Sequence, residues 1–270
     1  MNNRCIFAFH LIMGVFLCFH QLSAQEETKV EEELVVIDIK QKNPRDVIAF
    51  VAQRNNPDFM KKIMEEHDGL KDMKKADQLL QEQDYIPLLK MVWSEKDQQK
   101  RNAFLKKASE KGHPIMMLEY SVESLNENPT LEEFIKESQP WMVTGAVRTQ
   151  QDLVCVENPT ALEVIQSIIF TYGVAINTPM EGKYTQEEVL SYIEKNQETA
   201  LKSVEERMRQ SLYQKNVPSP KWITYSSGKD EEPAQLISED ECQERRKEFA
   251  DAVLNKALEQ NPPKQDSHSN

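Results

Sequence analysis

Apolar residues recur every three or four positions along most of the chain, which is the spacing of one face of an α-helix. Within residues 70–83, for example, Met73, Ala76, Leu79 and Leu80 fall on one side of such a helix. The same spacing is found in segments that begin at Asn43 and Asn56, in 85–94, 95–111 and 115–125, and in a segment that begins at Asn128. This pattern predicts an all-α fold of successive antiparallel helices, either hairpins stacked as a short α-solenoid or an irregular helical bundle.

Two segments in the second half of the chain differ in polarity. The residues between Pro159 and Tyr172 are the most apolar ones outside the N-terminus, so we expect them at the centre of the core. Residues 184–214 form the longest predicted helix, and its apolar side chains make a narrow stripe: Val189, Ile193, Ala200, Val204, Met208 and Leu212. Such a stripe packs against one helix of the same chain or, in an oligomeric envelope or structural protein, against a partner in a coiled-coil-like contact.

Three stretches interrupt the helical pattern. A strand-like run, LVVIDI, occupies residues 34–39, and residues 217–237 contain three prolines and a Ser-Ser-Gly sequence, which is typical of an exposed loop. The last residues are polar and have no apolar anchor, so we expect them to be disordered. The predicted organisation is a signal peptide at 1–24, a flexible acidic leader at 25–42, a helical hairpin domain at 43–216, the loop at 217–237, a C-terminal helix at 238–258 and a disordered tail at 259–270.

The N-terminus has the layout of a cleaved secretory signal. Arg4 precedes an apolar run from Cys5 to Phe19, and Ala24 provides a small residue before an acidic segment. The apolar run is shorter than the roughly 20 residues that a membrane-spanning helix needs, which disfavours an uncleaved anchor. Bulky residues before Cys18 disfavour attachment of a lipid there. We therefore expect cleavage after Ala24, export to a periplasm or the medium, and no stable membrane insertion afterwards.

The charge of the chain narrows the classes of partner. The sequence has 33 basic and 45 acidic residues, which gives a formal net charge of −12 at pH 7. A field of this sign repels the phosphates of nucleic acids and anionic lipid surfaces. The acidic composition therefore argues against a nucleic-acid-binding protein. It is compatible with basic or neutral protein partners.

Two of the four cysteines remain after the predicted signal is removed, namely Cys155 and Cys242. In an exported chain this pair either forms one disulfide, which would tie the C-terminal helix to the middle of the fold, or remains as two buried thiols. Two distant cysteines do not make a zinc site, and the sequence has no second pair with the required spacing. No metal or other cofactor is predicted.

The stretch FLKKASEKGHPIMMLEYS, residues 104–121, contains the clearest turn between two helices. Gly112 suits the left-handed backbone that follows a helix C-terminus. Pro114 suits the first position of the next helix, where its missing N–H is not needed. His113 lies between these two residues, and we expect its side chain to face solvent or to stack on a neighbouring hairpin.

Residues 103–121 around this turn resemble the joint between the two helices of a Sel-one-like repeat, a relative of the tetratricopeptide repeat. Residues 107–112, KASEKG, match the KAAEQG pattern of that family. The sequence departs from the family at Met116, where the family has a small alanine, and at Tyr120-Ser121, where it has Leu-Gly. The resemblance implies stacked helical hairpins that bind proteins or peptides on a concave face and have no catalytic residues.

Motifs that would indicate an enzyme are missing from the sequence: it has no nucleophile elbow, no H-E-x-x-H and no phosphate-binding glycine loop. An enzyme of unrecognised class, the alternative, would draw on Glu65, His67, His113 or Cys155. Trp141 and Trp222 are candidate partner contacts, although large aromatic residues are also common in cores. The leading expectation is an exported, non-enzymatic helical-repeat protein that binds a protein or peptide; its oligomeric state is left open.

Overall fold

The structure, a computed structural model, consists mainly of helices in the part of the chain that it describes. It describes residues 67–125, 129–157, 168–169, 171–177, 183–214 and 235–259, together with residues 48, 61, 180, 217, 220, 222 and 223. Within this part 78% of the residues are helical, in nine helices, and none forms a strand. The predicted all-α class is therefore confirmed. The predicted signal, leader, strand-like run and tail lie outside the described residues.

The helices are numbered here in chain order. They are α1 (Met73–Glu82), α2 (Tyr85–Ser94), α3 (Gln98–Glu110), α4 (Pro114–Glu123), α5 (Leu131–Glu133), α6 (Gln139–Leu153), α7 (Gln186–Lys195), α8 (Gln197–Leu212) and α9 (Glu239–Glu259). A π-helical segment, Phe134–Ser138, joins α5 to α6. Residues 171–177 are also helical and bury Tyr172, Ala175 and Ile176 in the main core. Of the apolar segment predicted to lie at the centre of the core, Ile168 and Ile169 are half-buried against that core, and residues 159–167 lie outside the described residues.

Capping side chains fix where two of the helices begin. The hydroxyl of Thr130 accepts from the Glu133 amide at 3.1 Å, and the Glu133 carboxylate accepts from the Thr130 amide at 3.0 Å. Thr185 and Glu188 form the same reciprocal pair at the start of α7. Each pair satisfies amides that the first helical turn leaves without partners. The helix predicted to begin at Asn128 thus begins at Leu131, because Thr130 is its N-cap and completes the capping box.

The first four helices form two hairpins that lie side by side. Lys107 of α3 is 3.7 Å from the carboxylate of Asp77 on α1, so the first helices of the two hairpins are neighbours. Trp93 of α2 donates a hydrogen bond of 2.9 Å to Glu119 of α4, so the second helices are neighbours as well. Apolar residues from all four helices contribute to one continuous core.

Helix α6 lies at the centre of the fold, where it packs against α4 and α8. Every residue from 139 to 149 is buried. Gly145 permits the close approach to α4, because a Cβ atom at that position would lie 3.0 Å from the Met117 Cβ and the Leu118 Cδ2. The helix that positions the polar groups described below is therefore held on several sides.

The single long helix predicted for residues 184–214 is wrong, because the structure divides it into α7 and α8 at Asn196. The Asn196 side chain donates to the Tyr192 carbonyl at 2.9 Å, and this local bond competes with regular helix geometry. The longest described helix is instead α9, with 21 residues. The apolar stripe is buried within this chain, which leaves it unavailable for a coiled-coil contact with a partner.

The prediction that residues 217–237 are exposed is also wrong in part. Val217, Pro220, Trp222 and Ile223 are buried, and among the described residues of the segment only Gln235 is exposed. Trp222 of this segment lies against a buried polar group of α6, as shown below. In the described part of the chain, no helix has the length and apolar character needed to cross a lipid bilayer.

Candidate functional site

The turn between α3 and α4 is built from consecutive residues. The Gly112 amide donates to the Ser109 carbonyl at 2.9 Å and the His113 amide to the Ala108 carbonyl at 3.4 Å, which is the bond pattern of a Schellman motif. Gly112 has φ +84°, and Pro114 occupies the first turn of α4. The structure thus places Gly112, His113 and Pro114 in the roles that the sequence indicated for a hairpin turn.

The His113 side chain faces inward. It is only 9% exposed, its Nδ1 lies 2.9 Å from the Tyr85 hydroxyl of α2, and the two rings meet edge to face. Of the two orientations expected for His113, solvent or a neighbouring hairpin, the structure has the second. Burial, with smaller contributions from Arg148 and Lys111, lowers the pKa of His113 to about 4. The imidazole is therefore neutral at pH 7.

Next to this pair, Asp152 of α6 accepts hydrogen bonds from three side chains. Its Oδ1 accepts from Arg148 one helical turn earlier and from Arg246 of α9, the latter at 2.7 Å. Its Oδ2 accepts from the Trp222 indole at 3.0 Å. Asp152 and both arginines are buried, so the carboxylate and the two guanidinium groups interact away from water. Such a pair is stabilising only when its hydrogen bonds are made.

Two further bonds connect this site to the surrounding backbone. The Gln151 side-chain amide donates to the Leu212 carbonyl at the end of α8, at 3.0 Å, and to the Arg246 carbonyl of α9, at 2.8 Å. Arg246 Nη1 donates to the Val217 carbonyl at 2.9 Å. The Leu212 and Val217 carbonyls lie at a helix end and in a loop, where the backbone offers them no helical partner. We call the set Tyr85, His113, Arg148, Gln151, Asp152, Trp222 and Arg246 the polar centre.

Burial and neighbouring charges shift the pKa values of two further groups in the polar centre, Tyr85 and Arg148. Burial and the charge of Asp152 raise the pKa of Tyr85 well above its usual value. Burial also lowers the pKa of Arg148; Asp152 opposes this shift, whereas the nearby Arg246 adds to it. The guanidinium groups of Arg148 and Arg246 both bond to the one carboxylate of Asp152.

A disulfide lies just beyond the C-terminal end of α6. Cys155 and Cys242 are bonded, their Cα atoms are 4.7 Å apart, and the cross-link spans 87 positions. It ties α9 to the end of α6. Of the two alternatives that the sequence left open, a disulfide or two buried thiols, the structure has the disulfide. A link over this length restricts the unfolded chain and stabilises the fold by about 4.6 kcal/mol in the chain-entropy account. Because Cys155 is in this bond, it has no thiol to form a pair with a histidine.

Trp141, which was a candidate partner contact, belongs to a second cluster. It is 4% exposed; the Arg207 guanidinium stacks 4.3 Å from its ring centroid, and Tyr120 meets it edge to face. Glu137 of the π-helical segment accepts from Arg207 at 2.7 Å and from the Tyr120 hydroxyl at 3.0 Å. Trp141 is therefore an internal anchor between α6 and α8, which corrects its candidate role as an exposed contact.

Trp222 is corrected in the same way, since it is 4% exposed and donates to Asp152. Of the sequence-derived candidates, the structure brings His113 and Trp222 into the polar centre, places Cys155 and Cys242 beside it and puts Trp141 elsewhere. His67 is described, but Glu65 and Glu66 lie outside the described residues. In the part of the chain that the structure describes, no group of acidic, histidine and cysteine residues has the arrangement of a metal site.

Sequence reasoning missed the charged members of the polar centre. Arg148 and Asp152 stand four positions apart within WMVTGAVRTQQDLVCV, on a helix whose other residues are largely apolar or small. Charges inside an otherwise core-like helix are the signal that would have indicated a buried ion pair. Arg246 gave no such signal, because its helix is charged on most faces.

Comparisons of the chain with models of known protein families, with characterised proteins and with solved structures gave no match. The resemblance of residues 103–121 to a Sel-one-like repeat therefore stays a prediction.

Proposed function

We propose that this chain is an exported, non-enzymatic helical protein that binds another protein or a peptide through its stacked hairpins. The observation that carries the proposal is the lateral packing of α1–α2 on α3–α4 around the Gly112 turn. Stacked hairpins present the outer sides of successive helices as one extended surface, and this geometry is commonly used for protein recognition. The same turn carries the family resemblance.

The use of the buried reactive side chains supports a role without catalysis. His113 is bonded to Tyr85, Asp152 takes three donors from the protein, and Cys155 is part of a disulfide. Each of these groups is buried and holds one helix to another. A general base or nucleophile needs access to a substrate, whereas these groups are buried and bonded to other parts of the fold.

Export is supported by two independent features. Residues 1–24 have the charge and apolar pattern of a cleaved signal, and disulfides persist mainly in oxidising compartments. Intact-mass measurement of the chain recovered from the periplasm or medium of an expressing bacterium tests this part. We expect the mass of a chain whose first residue is Gln25. Retention of the full chain in the cytoplasm would contradict export.

The face that we assign to binding consists of the solvent-exposed sides of α1 and α3. Met73 on α1 is 37% exposed, which makes it one of two large hydrophobic side chains that the described part leaves open. Gln78 on α1 and Ala103 and Lys106 on α3 are exposed as well. A mixed face with one apolar residue and several polar ones suits a transient protein contact.

Site-specific photo-crosslinking tests the face directly. A photoreactive amino acid is placed at Gln78 or Ala103, and the matched control carries it at Gln210, an exposed position on α8. The exported chain is irradiated in its source culture, and adducts are identified by mass spectrometry. A discrete protein or peptide adduct from the α1 and α3 positions that is missing from the control is expected. No adduct from any position, or equal adducts from Gln210, would contradict the proposal.

A further inference from the structure

Helix α9 covers an apolar face that is separate from the main core. Five buried residues of α6 and α8 line this face: Val143, Val147, Val204, Met208 and Leu212. Ala250 and Leu254 of α9 are buried against it, and Phe249 and Val253 flank them. Residues of α1 to α4 belong to the other, larger cluster. Departure of α9 would thus uncover this face and leave the packing of the two hairpins in place.

The charges of the polar centre do not by themselves hold α9 in place. Arg148 lies on the same helix as Asp152, one turn away, so Asp152 keeps an ion-pair partner when α9 leaves. Docked α9 adds Arg246 as a second buried cation, and the proximity of Arg246 disfavours the charge on Arg148. Burial of charges costs hydration that their pairing only partly returns. Apolar contacts and the disulfide also contribute to docking, together with the hydrogen bonds from Gln151 to the Arg246 carbonyl and from Arg246 to the Val217 carbonyl.

The disulfide lies in a small cluster at the edge of the fold. Cys155, Cys242 and Ile237 form this cluster, with Val154 half-buried beside them. Two backbone hydrogen bonds close it: the Glu157 amide to the Gln235 carbonyl at 2.9 Å and the Ile237 amide to the Cys155 carbonyl at 3.1 Å. Glu157, Gln235 and Ser238 are exposed. Opening these two bonds therefore admits a reductant to the sulfurs without opening the main core.

We propose that the Cys155–Cys242 disulfide is a redox-sensitive latch, and that its reduction releases α9 and uncovers the apolar face of α6 and α8. A dithiol supplies the two electrons and two protons. Its thiolate attacks one sulfur, the Cys155–Cys242 bond breaks, and a mixed disulfide forms; the second thiol of the reductant then closes the reductant into its own disulfide. Two free cysteine thiols remain in the chain. This device is independent of whether the hairpins bind a partner.

Hydrogen–deuterium exchange tests the latch in the full chain carrying Cys5→Ser and Cys18→Ser, so that Cys155 and Cys242 are its only cysteines. The oxidised chain is compared with the chain treated with dithiothreitol under native conditions. We expect amides of residues 245–254 to exchange at least about tenfold faster after reduction, while α4 amides keep their protection. Fluorescence of an added apolar dye, anilinonaphthalene sulfonate, rises with exposure of the face.

The double variant Cys155→Ser/Cys242→Ser in the same background is the matched control. It shows fast exchange in α9 without reductant and does not respond to dithiothreitol; if it fails to fold, the reduction arm decides alone. Three results overturn the latch. In the first, α9 stays protected although alkylation shows two free thiols. In the second, α4 and α9 lose protection together, and in the third the disulfide resists reduction in the folded chain.

Discussion

The Gly112 turn and the polar centre meet at His113, yet they are built in opposite ways. The turn consists of neighbouring residues whose backbone bonds span five positions or fewer. The polar centre joins residues that are far apart in the sequence, such as Asp152 and Arg246 with a separation of 94. The first depends on backbone conformation and the second on burial of charge. Substitutions should therefore affect the two regions by different amounts.

The largest effect is expected at Asp152. Asp152→Asn keeps the volume but removes the negative charge, so Arg148 and Arg246 are left buried without a counter-ion. Breaking a buried pair in this way costs about 3–5 kcal/mol. Urea unfolding followed by circular dichroism measures the loss. A loss under about 1 kcal/mol would show that water reaches the site and that the polar centre is not the dry ion pair described here.

The next effect concerns pH and tests the residue that the two regions share. The folded pKa of His113 is about 4 and its ordinary value is 6.5, so between these values the unfolded chain binds a proton that the folded chain does not. Stability therefore falls as the pH decreases from 6.5 towards 4, by up to about 3 kcal/mol. Unfolding free energies at several pH values measure the slope. His113→Gln, which can keep a bond to Tyr85, serves as the reference, and identical slopes in both chains contradict the assignment.

A smaller effect is expected at the turn itself. Gly112→Ala places a side chain on a residue with φ +84°, and the new Cβ would lie 1.8 Å from the Gln214 Oε1. Gln214 has a flexible end that moves aside, so the main cost is left-handed strain of about 1–2 kcal/mol. Thermal and urea unfolding measure it. Lys111→Ala is the control, since Lys111 is exposed and has φ −84°, and it should change stability by under about 0.5 kcal/mol. Equal effects of the two substitutions would refute the strain argument.

The smallest effect is expected for a charge pair outside both regions. Arg209 and Glu205 of α8 form an ion pair of 2.8 Å, and their side chains are 42% and 46% exposed. Arg209→Met should change stability by at most about 0.5 kcal/mol, because water screens the pair and already hydrates both groups. The same urea titration used for Asp152→Asn gives the comparison. A loss as large as that at Asp152 would mean that burial is not what distinguishes the polar centre.

Features that depend on neighbouring residues could be predicted well from the sequence. The helical spacing, the Gly112 turn with Pro114 and the helical nature of most segments all follow from local backbone preferences. The prediction was less accurate where a local competitor acts: Asn196 breaks a helix that the apolar stripe alone would continue. It was also less accurate at Thr130, where a capping box overrides the Asn-Pro signal.

The candidate site was only partly visible in the sequence. Trp141 and Trp222 were recognised as residues of interest, but no local pattern tells whether an aromatic ring is exposed or stacked beneath an arginine. Cys155 and Cys242 could be listed as a pair, while their proximity depends on how α9 packs on α6. The charged members, Arg148 and Arg246, were missed because charges on helices are usually solvated.

The amino-acid sequence by itself determined that this chain is helical, where most of its helices begin and end, and how α3 turns into α4. These features depend on side chains within a few positions of one another, whose preferences act before any tertiary contact exists. Only the tertiary structure decided that His113 faces inward, that both tryptophans are buried, and that Asp152 lies between arginines from two helices. Such contacts form between residues tens of positions apart, and packing of the apolar faces, not local preference, brings them together.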